Sequence, residues 1–427
     1  MSSATLEDLH ADVLVLGMGA SGLMAASALA QEGKSVLVVG RGMSATSLST
    51  GCISFIRQAE LSREEPRIDV ETLAKSVHPF SDLIERSALS LEDLIAEMSV
   101  FLVRGLADQG LEMTDDVFHY HRLLTNIGSS YSCSIAPASL TLGSEDKLTR
   151  DKWAVLGLLG AQDLDADLFA TIVNRRHPRV EIRPLWIRPT SFGSRQSLTS
   201  LEVASIMSSE AAVEEVVQAI KGIEADNVCI PPLFSLAKFE AGMRKLRKLT
   251  GKNIFEPVTP MSLAGMRLQE ALERLAASQG CQLLRQREVT ALRSSPGRVD
   301  SAVLTTRTRT QKVSFNSIIV ASGDLVAGGL GVAGAKVDDP LQTFKIGTFG
   351  RTSALAASAT FGPMDVAMET GMLVNNEMRL MDREGRPFAN AFGAGAVLAG
   401  FSYPTGVGLG GGLLTAWVAA KHAMEGS

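Results

Sequence analysis

The sequence predicts an α/β protein in which both chain ends build one domain around a parallel sheet, while the middle of the chain inserts a cap-like α/β domain. A short apolar run, a glycine turn and an alanine-rich helix stand near the amino terminus, and a second glycine-rich stretch precedes an apolar helix near the carboxyl terminus. Between them, apolar runs and helical patterns alternate again. The predicted division is residues 1–65 and 255–427 for the first domain and residues 66–254 for the inserted one.

The amino-terminal elements form a strand–turn–helix–strand unit. Residues 12–16 (DVLVL) predict a buried strand, Gly17-x-Gly19-x-x-Gly22 follows, and residues 35–39 (SVLVV) predict a second buried strand after the helix. In such a unit the first glycine permits the tight turn, the second lets the backbone approach a phosphate, and the third lets helix and strand pack closely. The helix amino terminus then points its N–H groups at the anion. The pattern predicts a Rossmann-like dinucleotide-binding turn.

The second strand lacks the acidic residue that usually follows in such units. An Asp or Glu there holds a ribose hydroxyl, but the position is Gly40, followed by Arg41. We therefore expect the usual adenosine-ribose contact to be missing or to come from elsewhere in the chain. Residues 44–53 (SATSLSTGCI) are small, which would let backbone amides press against a planar ring, although an ordinary loop has the same pattern.

The middle of the chain predicts a helical stretch from about residue 69 to 98 and then strands over residues 100–126. A separate α/β stretch follows, with strands at 153–159, 180–187 and 227–230 and helices at 165–174, 201–220 and up to about residue 249. His119 and His121 share one face of a strand, but no third ligand is near in sequence, so we expect no metal site. The basic segment 238–248 predicts a solvated helix face, or else a surface for an acidic partner.

The tail is the most informative segment. After a strand at 390–396, residues 405–412 (TGVGLGGG) lead into an apolar helix over 413–424. A helix amino terminus behind glycines offers amide N–H groups to an electron-rich group, and against a flavin ring it would stabilise the negative charge of the reduced form. A close helix crossing that needs glycine is the alternative. The strand runs into Gly395-Ala396, where flavoproteins usually have Gly-Asp or Gly-Glu, so the carboxylate contact to the ribityl chain is missing as well.

Composition excludes several classes of protein. Of 427 residues, 45% are hydrophobic and 20% charged, which supplies a core and excludes wholesale disorder. The 41 basic and 46 acidic residues give a net charge of −5 without basic runs, which argues against a nucleic-acid partner. Four separated cysteines without a CxxC pair argue against an iron–sulfur cluster, a structural zinc or a disulfide framework, and favour a cytoplasmic location.

Neither chain end is typical of a targeting or membrane-spanning segment. The first residues lack a positive region ahead of an apolar one, so no secretory signal is predicted. The apolar stretches 11–30 and 392–420 are interrupted by Asp12 and glycines and by the segment 403–405 (YPT), so neither fits a spanning helix.

Several short segments together carry a resemblance to a known family. In order along the chain, they are Gly17-x-Gly19-x-x-Gly22, Arg41-Gly42-Met43-Ser44-Ala45, Ser49-Thr50-Gly51, Ala321-Ser322-Gly323, Gly328-Gly329-Leu330 and the run from Gly408 to Gly412. With these segments the sequence resembles the B subunit of the anaerobic glycerol-3-phosphate dehydrogenase complex, a family related to the fumarate reductase and succinate dehydrogenase flavoproteins. The resemblance covers both ends and touches the middle at residues 157–160 and 265–269.

The resemblance implies a flavin-binding electron-transfer subunit that works with an FAD-bearing dehydrogenase subunit and an iron–sulfur subunit that reaches the membrane. Such a complex oxidises glycerol 3-phosphate to dihydroxyacetone phosphate and passes electrons to quinone, at the inner face of the membrane. The implied cofactor is noncovalent FMN, with FAD as the alternative, and Gly40 agrees with FMN because FMN has no adenosine ribose. Carried onto this sequence, the implied cofactor contacts are Gly17, Gly19, Gly22, Ser44, Thr50, Gly51, Gly323, Gly395, Gly408, Gly410 and Gly411.

Two other functions stay open at this point. A free-standing FAD-dependent oxidoreductase of the fumarate reductase type would need an arginine or histidine over the flavin as proton donor, for instance Arg351 or His119. A flavin-free scaffold would keep the fold for assembly alone. The electron-transfer subunit is favoured because the cofactor loops contain few charged groups and no His–carboxylate arrangement, which leaves the catalytic residues unknown.

Overall fold

The computed structural model describes residues 8–55, 90–149, 152–261, 263–306, 309–333, 336–348, 370–401 and 408–425. Within them the α-helices are α1 (Ala20–Gln31), α2 (Leu91–Asp108), α3 (Ala166–Arg176), α4 (Ser200–Ile206), α5 (Glu210–Lys221), α6 (Leu236–Thr250), α7 (Leu263–Ser278) and α8 (Gly408–Glu425). The β-strands are β1 (Leu9–Leu16), β2 (Val36–Gly40), β3 (His121–Leu124), β4 (Ser130–Cys133), β5 (Trp153–Leu158), β6 (Ile182–Ile187), β7 (Asn227–Cys229), β8 (Asn253–Phe255), β9 (Gln282–Arg285), β10 (Glu288–Ser295), β11 (Arg298–Thr305), β12 (Thr310–Val320), β13 (Gly331–Ala333), β14 (Lys336–Asp338), β15 (Ile346–Thr348), β16 (Thr370–Met372), β17 (Arg379–Met381) and β18 (Pro387–Gly393).

The larger sheet joins strands from both ends of the chain in the order β10-β11-β12-β1-β2-β9, with β18 on the second half of β12 and β17 on β18. The pairs among β18, β12, β1, β2 and β9 are parallel. As a result, four residues lie side by side near the carboxyl ends of these strands: Val39, Leu16, Val320 and Gly393. The turns that follow the strands meet there. The predicted α/β class with a parallel sheet is confirmed.

Helices cover the parallel strands, which explains why residues 13–16 of β1 and all of β2 are apolar and buried. Leu14, Val15, Leu37 and Val38 are buried in one core together with apolar residues of α1, α2, α7 and α8. Helix α1 packs directly against α8 and α7, so the amino-terminal and carboxyl-terminal segments share a core.

A second sheet is formed entirely by residues between 153 and 255. Its order is β6-β5-β7-β8, all parallel, and helices α3, α5 and α6 lie along it. It has its own apolar core, with Leu156, Val216, Val228 and Ile254 buried. The domain limits predicted from the sequence stay predictions.

The prediction of strands over residues 100–126 is wrong for its first part, because helix α2 continues to Asp108. Leu94, Met98, Leu102 and Leu106 recur every four residues and are all buried, which is the spacing of one helix face. The Val and Phe residues among them favour strands by local propensity, but the helix buries a continuous apolar face against α7 and α8. The predicted helix from residue 69 lies outside the described residues up to residue 89.

No helix in the described ranges is long and apolar enough to cross a membrane.

Candidate cofactor site

A cavity of about 730 Å³ opens at the edge of the larger sheet where β1, β2 and β12 end. Its wall includes residues 16–21 after β1, residues 39–46 after β2, residues 321–324 after β12, and Gly408 with Leu409 at the start of α8. The glycine-rich turns of the two chain ends therefore face the same space. The volume lies within the roughly 300–1,000 Å³ that is usual for small-molecule sites.

The turn after β1, called the first turn below, has glycine at three positions for different physical reasons. Gly17 has a φ of +117°, and a Cβ there would lie 2.0 Å from the carbonyl oxygen of Ala321. A Cβ on Gly22 would lie 1.9 Å from the carbonyl oxygen of Gly17. A Cβ on Gly19 would meet only side-chain atoms of Ser44 and Thr46 at 3.7 Å. The chain itself therefore requires glycine at the first and third positions, whereas the second leaves room for a ligand.

The amino terminus of α1 offers backbone N–H groups to the cavity. The amide of Ala20 donates to Thr46 Oγ1 at 2.9 Å, and the amide of Leu23 donates to the carbonyl of Gly19 at 3.0 Å. The amides of Ser21 and Gly22 have no hydrogen-bond partner among the described residues. Together with the helix dipole, these two groups can bind an anion such as a phosphate.

Helix α7 supports this turn from behind. Gln269 donates from Nε2 to the carbonyl of Met18 at 2.8 Å, and its Oε1 accepts from Ser44 Oγ at 2.6 Å. Sequence reasoning did not identify Gln269 or Thr46 as site residues. Their roles come from contacts with residues far along the chain, for which the local pattern has no signal.

The small residues after Ser44 are explained largely by packing on α7. A Cβ on Gly265 would lie 2.3 Å from the carbonyl oxygen of Ser49. Gly51 has a φ of +74°, and a Cβ there would lie 2.8 Å from the carbonyl oxygen of Ala264. This segment therefore touches the helix backbone, and the predicted contacts Thr50 and Gly51 do not line the cavity.

A buried ion pair anchors α7 to the second sheet. Arg267 donates to both carboxylate oxygens of Glu256, at 2.6 and 2.9 Å, and its Nε donates to the carbonyl of Phe234 at 2.8 Å. Ser139 Oγ donates to the same carboxylate at 3.1 Å. Because both charged side chains are almost fully buried, loss of one partner would leave an unpaired charge in the core.

The tail helix starts earlier than the sequence predicted. The glycine run was expected to precede the helix, but α8 begins at Gly408, so the glycines form its first turns. A Cβ on Gly410 would lie 2.2 Å from the carbonyl oxygen of Ser54, and one on Gly412 would lie 2.7 Å from Ser21 Oγ. These two glycines allow close helix packing, which is the alternative that the sequence left open.

The turn after β18 also meets the turn after β1, because β18 ends at Gly393 and not at residue 396 as predicted. Gly395 has a φ of +74°, and a Cβ there would lie 2.3 Å from Ser21 Oγ. Its amide donates to Thr415 Oγ1 at 2.9 Å. The neighbouring Ala396, rather than Gly395, lines the cavity.

The predicted contact residues thus fall into two groups. On the cavity wall are Gly17, Gly19, Ser44, Gly323 and Gly408. Not among the residues that line it are Gly22, Thr50, Gly51, Gly395, Gly410 and Gly411. That any of them binds a cofactor stays a prediction.

At the end of β2, the cavity wall carries an ion pair that the sequence did not reveal. Arg41 Nη1 donates to Glu288 Oε1 at 2.9 Å, and both side chains are at least half exposed. Glu288 is the first residue of β10 and lies on the wall with Arg41. A carboxylate therefore stands near the position at which β2 itself has Gly40.

The cavity wall also includes three exposed apolar side chains. Val326, Met43 and Met261 line the cavity and are 80%, 70% and 69% exposed. Such exposed apolar side chains beside unpaired amides suit a ligand with an aromatic portion and an anionic portion. A flavin nucleotide has both, so the residues present fit a flavin.

The histidines lie elsewhere. His119 and His121 stack edge to face with ring centroids 5.4 Å apart, and neither lines the cavity. Burial lowers the pKa of His121 below its usual value, and the neighbouring His119 lowers it further. No cluster of three or more His, Cys, Asp or Glu side chains suited to a metal occurs in the described part of the chain. Arg351, the other proposed proton donor, lies outside the described residues.

Comparison with known proteins points to the same family as the sequence segments. A family model described as an FAD binding domain matches residues 12–85. The B subunit of the anaerobic glycerol-3-phosphate dehydrogenase of Pasteurella multocida (strain Pm70) is 24% identical over 439 residues, which cover 97% of this chain and 99% of the relative. The corresponding B subunit of Actinobacillus succinogenes is also 24% identical, over 98% of this chain and 100% of the relative. The similarity therefore extends over nearly the whole length of this chain and of both B subunits.

The resemblance found in the sequence is therefore confirmed. Among solved structures, an open conformation of a flavocytochrome c3 fumarate reductase is similar with a TM-score of 0.46 at 11% identity, covering 98% of this chain and 78% of that chain.

Proposed function

We propose that this chain is the flavin-binding electron-transfer subunit of an anaerobic glycerol-3-phosphate dehydrogenase complex, which oxidises glycerol 3-phosphate to dihydroxyacetone phosphate and passes the electrons to quinone. The observation that carries the proposal is the cavity between the glycine turns of the two chain ends. Full-length similarity to proteins named as B subunits supports the reaction and the assembly. The partners in this proposal are an FAD-bearing dehydrogenase subunit and an iron–sulfur subunit, through which the chain meets the membrane.

In this proposal the phosphate end of the flavin lies at the first turn. The space in front of Gly19 and the amides of Ser21 and Gly22 would hold it, and the dipole of α1 would stabilise its charge. The ring would lie between Gly323 and Gly408, where the α8 amino terminus faces the cavity. When bound, a flavin accepts a hydride or single electrons. The chain's own residues bind it, orient it and exclude water.

The cofactor in this proposal is FAD rather than FMN. The sequence favoured FMN because the acid that holds an adenosine ribose is absent at Gly40. Two observations support FAD instead: the cavity continues past the first turn to the end of β2, and a carboxylate, Glu288, lies on its wall there. The matching family model describes an FAD binding domain.

The charged groups of the cavity support electron transfer over a free-standing fumarate reductase activity. No His, Lys, Tyr or Cys is among the described residues that line it. Its two arginines, Arg41 and Arg287, lie at the end of β2, where Arg41 is paired with Glu288. Asp339 lines it, but its carboxylate accepts from the amides of Leu341, Thr343 and Phe344. Asp324 accepts from the amide of Ala327. Because an electron relay needs no acid–base pair over the ring, this wall suits it.

The division into two domains, residues 1–65 and 255–427 against residues 66–254, is part of the same proposal. A separate parallel sheet and core within residues 153–255 support it.

The test is to purify the full chain, record its flavin absorption spectrum, and identify the released cofactor by mass. The chain is then mixed with the dehydrogenase and iron–sulfur subunits from the same organism, and glycerol 3-phosphate is added without oxygen. We expect bound FAD that is reduced only in the reconstituted complex. A chain that takes up neither FAD nor FMN would support the scaffold alternative, and a chain that alone reduces fumarate would support the free-standing enzyme.

A further inference from the structure

At the end of β2, Gly40 stands where such units usually have an Asp or Glu. We infer that Glu288 replaces the carboxylate missing at Gly40 and binds the ribose hydroxyls of the adenosine half of FAD. This inference depends on the proposed flavin-binding function, and it names the residue that selects FAD over FMN.

Strand β2 itself has no room for the side chain. A Cβ on Gly40 would lie 2.7 Å from the Cβ of Met18, which is closer than real Cβ atoms approach one another. Met18 belongs to the first turn and is held there by the hydrogen bond from Gln269 to its carbonyl. An acid at position 40 would therefore displace the phosphate-binding turn, so the carboxylate has to come from another strand.

The topology brings Glu288 to this place. Strand β9 pairs in parallel with β2, with Arg285 beside Gly40. The chain then crosses the end of β2, where the amide of Arg287 donates to the carbonyl of Gly40 at 3.1 Å. Glu288 follows at once and lies on the cavity wall with Arg287 and Val289.

Arg41 binds only one of the two oxygens of the Glu288 carboxylate. The guanidinium contacts Oε1 at 2.9 Å, and no other hydrogen bond to this side chain occurs among the described residues. Oε2 therefore keeps its acceptor sites, and an ionised carboxylate can accept several hydrogen bonds. The two hydroxyls of a ribose can donate hydrogen bonds to these acceptor sites.

Glu273 is the other carboxylate near the end of β2, and it is less suitable. It lines a smaller adjoining cavity rather than the large one. Its oxygens already accept from Arg285 and Gln269. Its role is to hold α7 and the first turn, which serve any flavin.

The test compares affinities of the flavin-stripped full chain for FAD and for FMN, measured by quenching of flavin fluorescence. We expect Glu288→Ala to weaken FAD binding about 10- to 100-fold, the value of a hydrogen bond to a charged group, and to leave FMN binding unchanged. Glu181→Ala is the matched control. Glu181 forms a similarly exposed ion pair with Arg183, with Nε and Oε1 2.9 Å apart, and neither residue lines the cavity. Glu273→Ala should weaken both flavins together.

Each other outcome is decisive. Equal loss of FAD and FMN affinity in Glu288→Ala, an unchanged FAD affinity, or a wild-type chain that binds FMN as tightly as FAD would each overturn the role of Glu288 while leaving the flavin-binding function intact. A wild-type chain that binds neither flavin would overturn both proposals. Unchanged FMN binding in the variant also shows that it folds.

Discussion

The turn after β1 and the first turns of α8 are both rich in glycine, yet their glycines do different things. In the first turn, Gly19 has free space in front of it, beside two amides without a partner in the described residues. In α8, Gly410 and Gly412 are pressed against Ser54 and Ser21. One turn is open to a ligand, and the other closes the contact between the two chain ends.

A glycine run therefore indicates that some group approaches the backbone closely, but it does not indicate whether that group is protein or ligand. In the proposed function, a cofactor fills the space in front of Gly19. At Gly410 the approaching group is already present as protein backbone. Substitutions with alanine separate the two cases, because a single methyl group either meets protein or enters the cavity.

Gly17→Ala should have the largest effect. The methyl group would combine an unfavourable φ with a contact to the Ala321 carbonyl, and the free energy of unfolding should fall by about 2–6 kcal/mol. Urea unfolding followed by circular dichroism measures the loss, and flavin binding should disappear with it. A variant with wild-type stability would show that the turn adapts and that its geometry is not required.

Gly410→Ala should destabilise the protein by about 1–3 kcal/mol, because the methyl group would meet the Ser54 carbonyl. Flavin affinity of the folded protein should stay unchanged. Gly222→Ala is the control, since its Cβ would make only an ordinary contact at 3.5 Å, and it should be neutral or slightly stabilising. If Gly410→Ala kept its stability and lost flavin, this glycine would belong to the binding group instead.

Gly19→Ala should weaken flavin binding and leave stability unchanged, which is the opposite of the effect expected for Gly410→Ala. Its methyl group makes ordinary contacts, so stability should not fall, but it enters the space for the phosphate and should weaken flavin binding about 10-fold or more. Fluorescence titration with FAD measures this, with the unfolding curve recorded on the same sample. An unchanged affinity would mean that the flavin phosphate does not approach this turn.

Thr46→Val should have the smallest effect. It removes the hydroxyl that accepts from the Ala20 amide and leaves that group at the end of α1 without its partner, which should cost about 1 kcal/mol of stability. Thr141→Val is a control, because that hydroxyl lies at an exposed position and bonds only its local backbone. Equal effects in the two variants would contradict a special role of Thr46 in holding the first turn.

Local pattern determined much of this protein. The apolar strands of residues 12–16 and 35–39, the spacing of Gly17, Gly19 and Gly22 and the alanine-rich helix between the strands predict the βαβ unit, because these preferences act between near neighbours in sequence. The strands predicted over residues 100–126 failed where helix α2 continues, since burial against distant helices outweighed local propensity.

What only the tertiary structure decided is which groups surround the cavity. Thr46 meets Ala20 across 26 residues, Arg41 meets Glu288 across 247, and Gln269 meets Met18 across 251. No local periodicity encodes such pairs, because they exist only once the parallel sheet has placed the ends of β1, β2 and β12 together. The sequence by itself determined that both chain ends have glycine-rich segments. Folding decided that the turn after β1 opens on a cavity, whereas the glycines of α8 mainly pack against the amino-terminal segment.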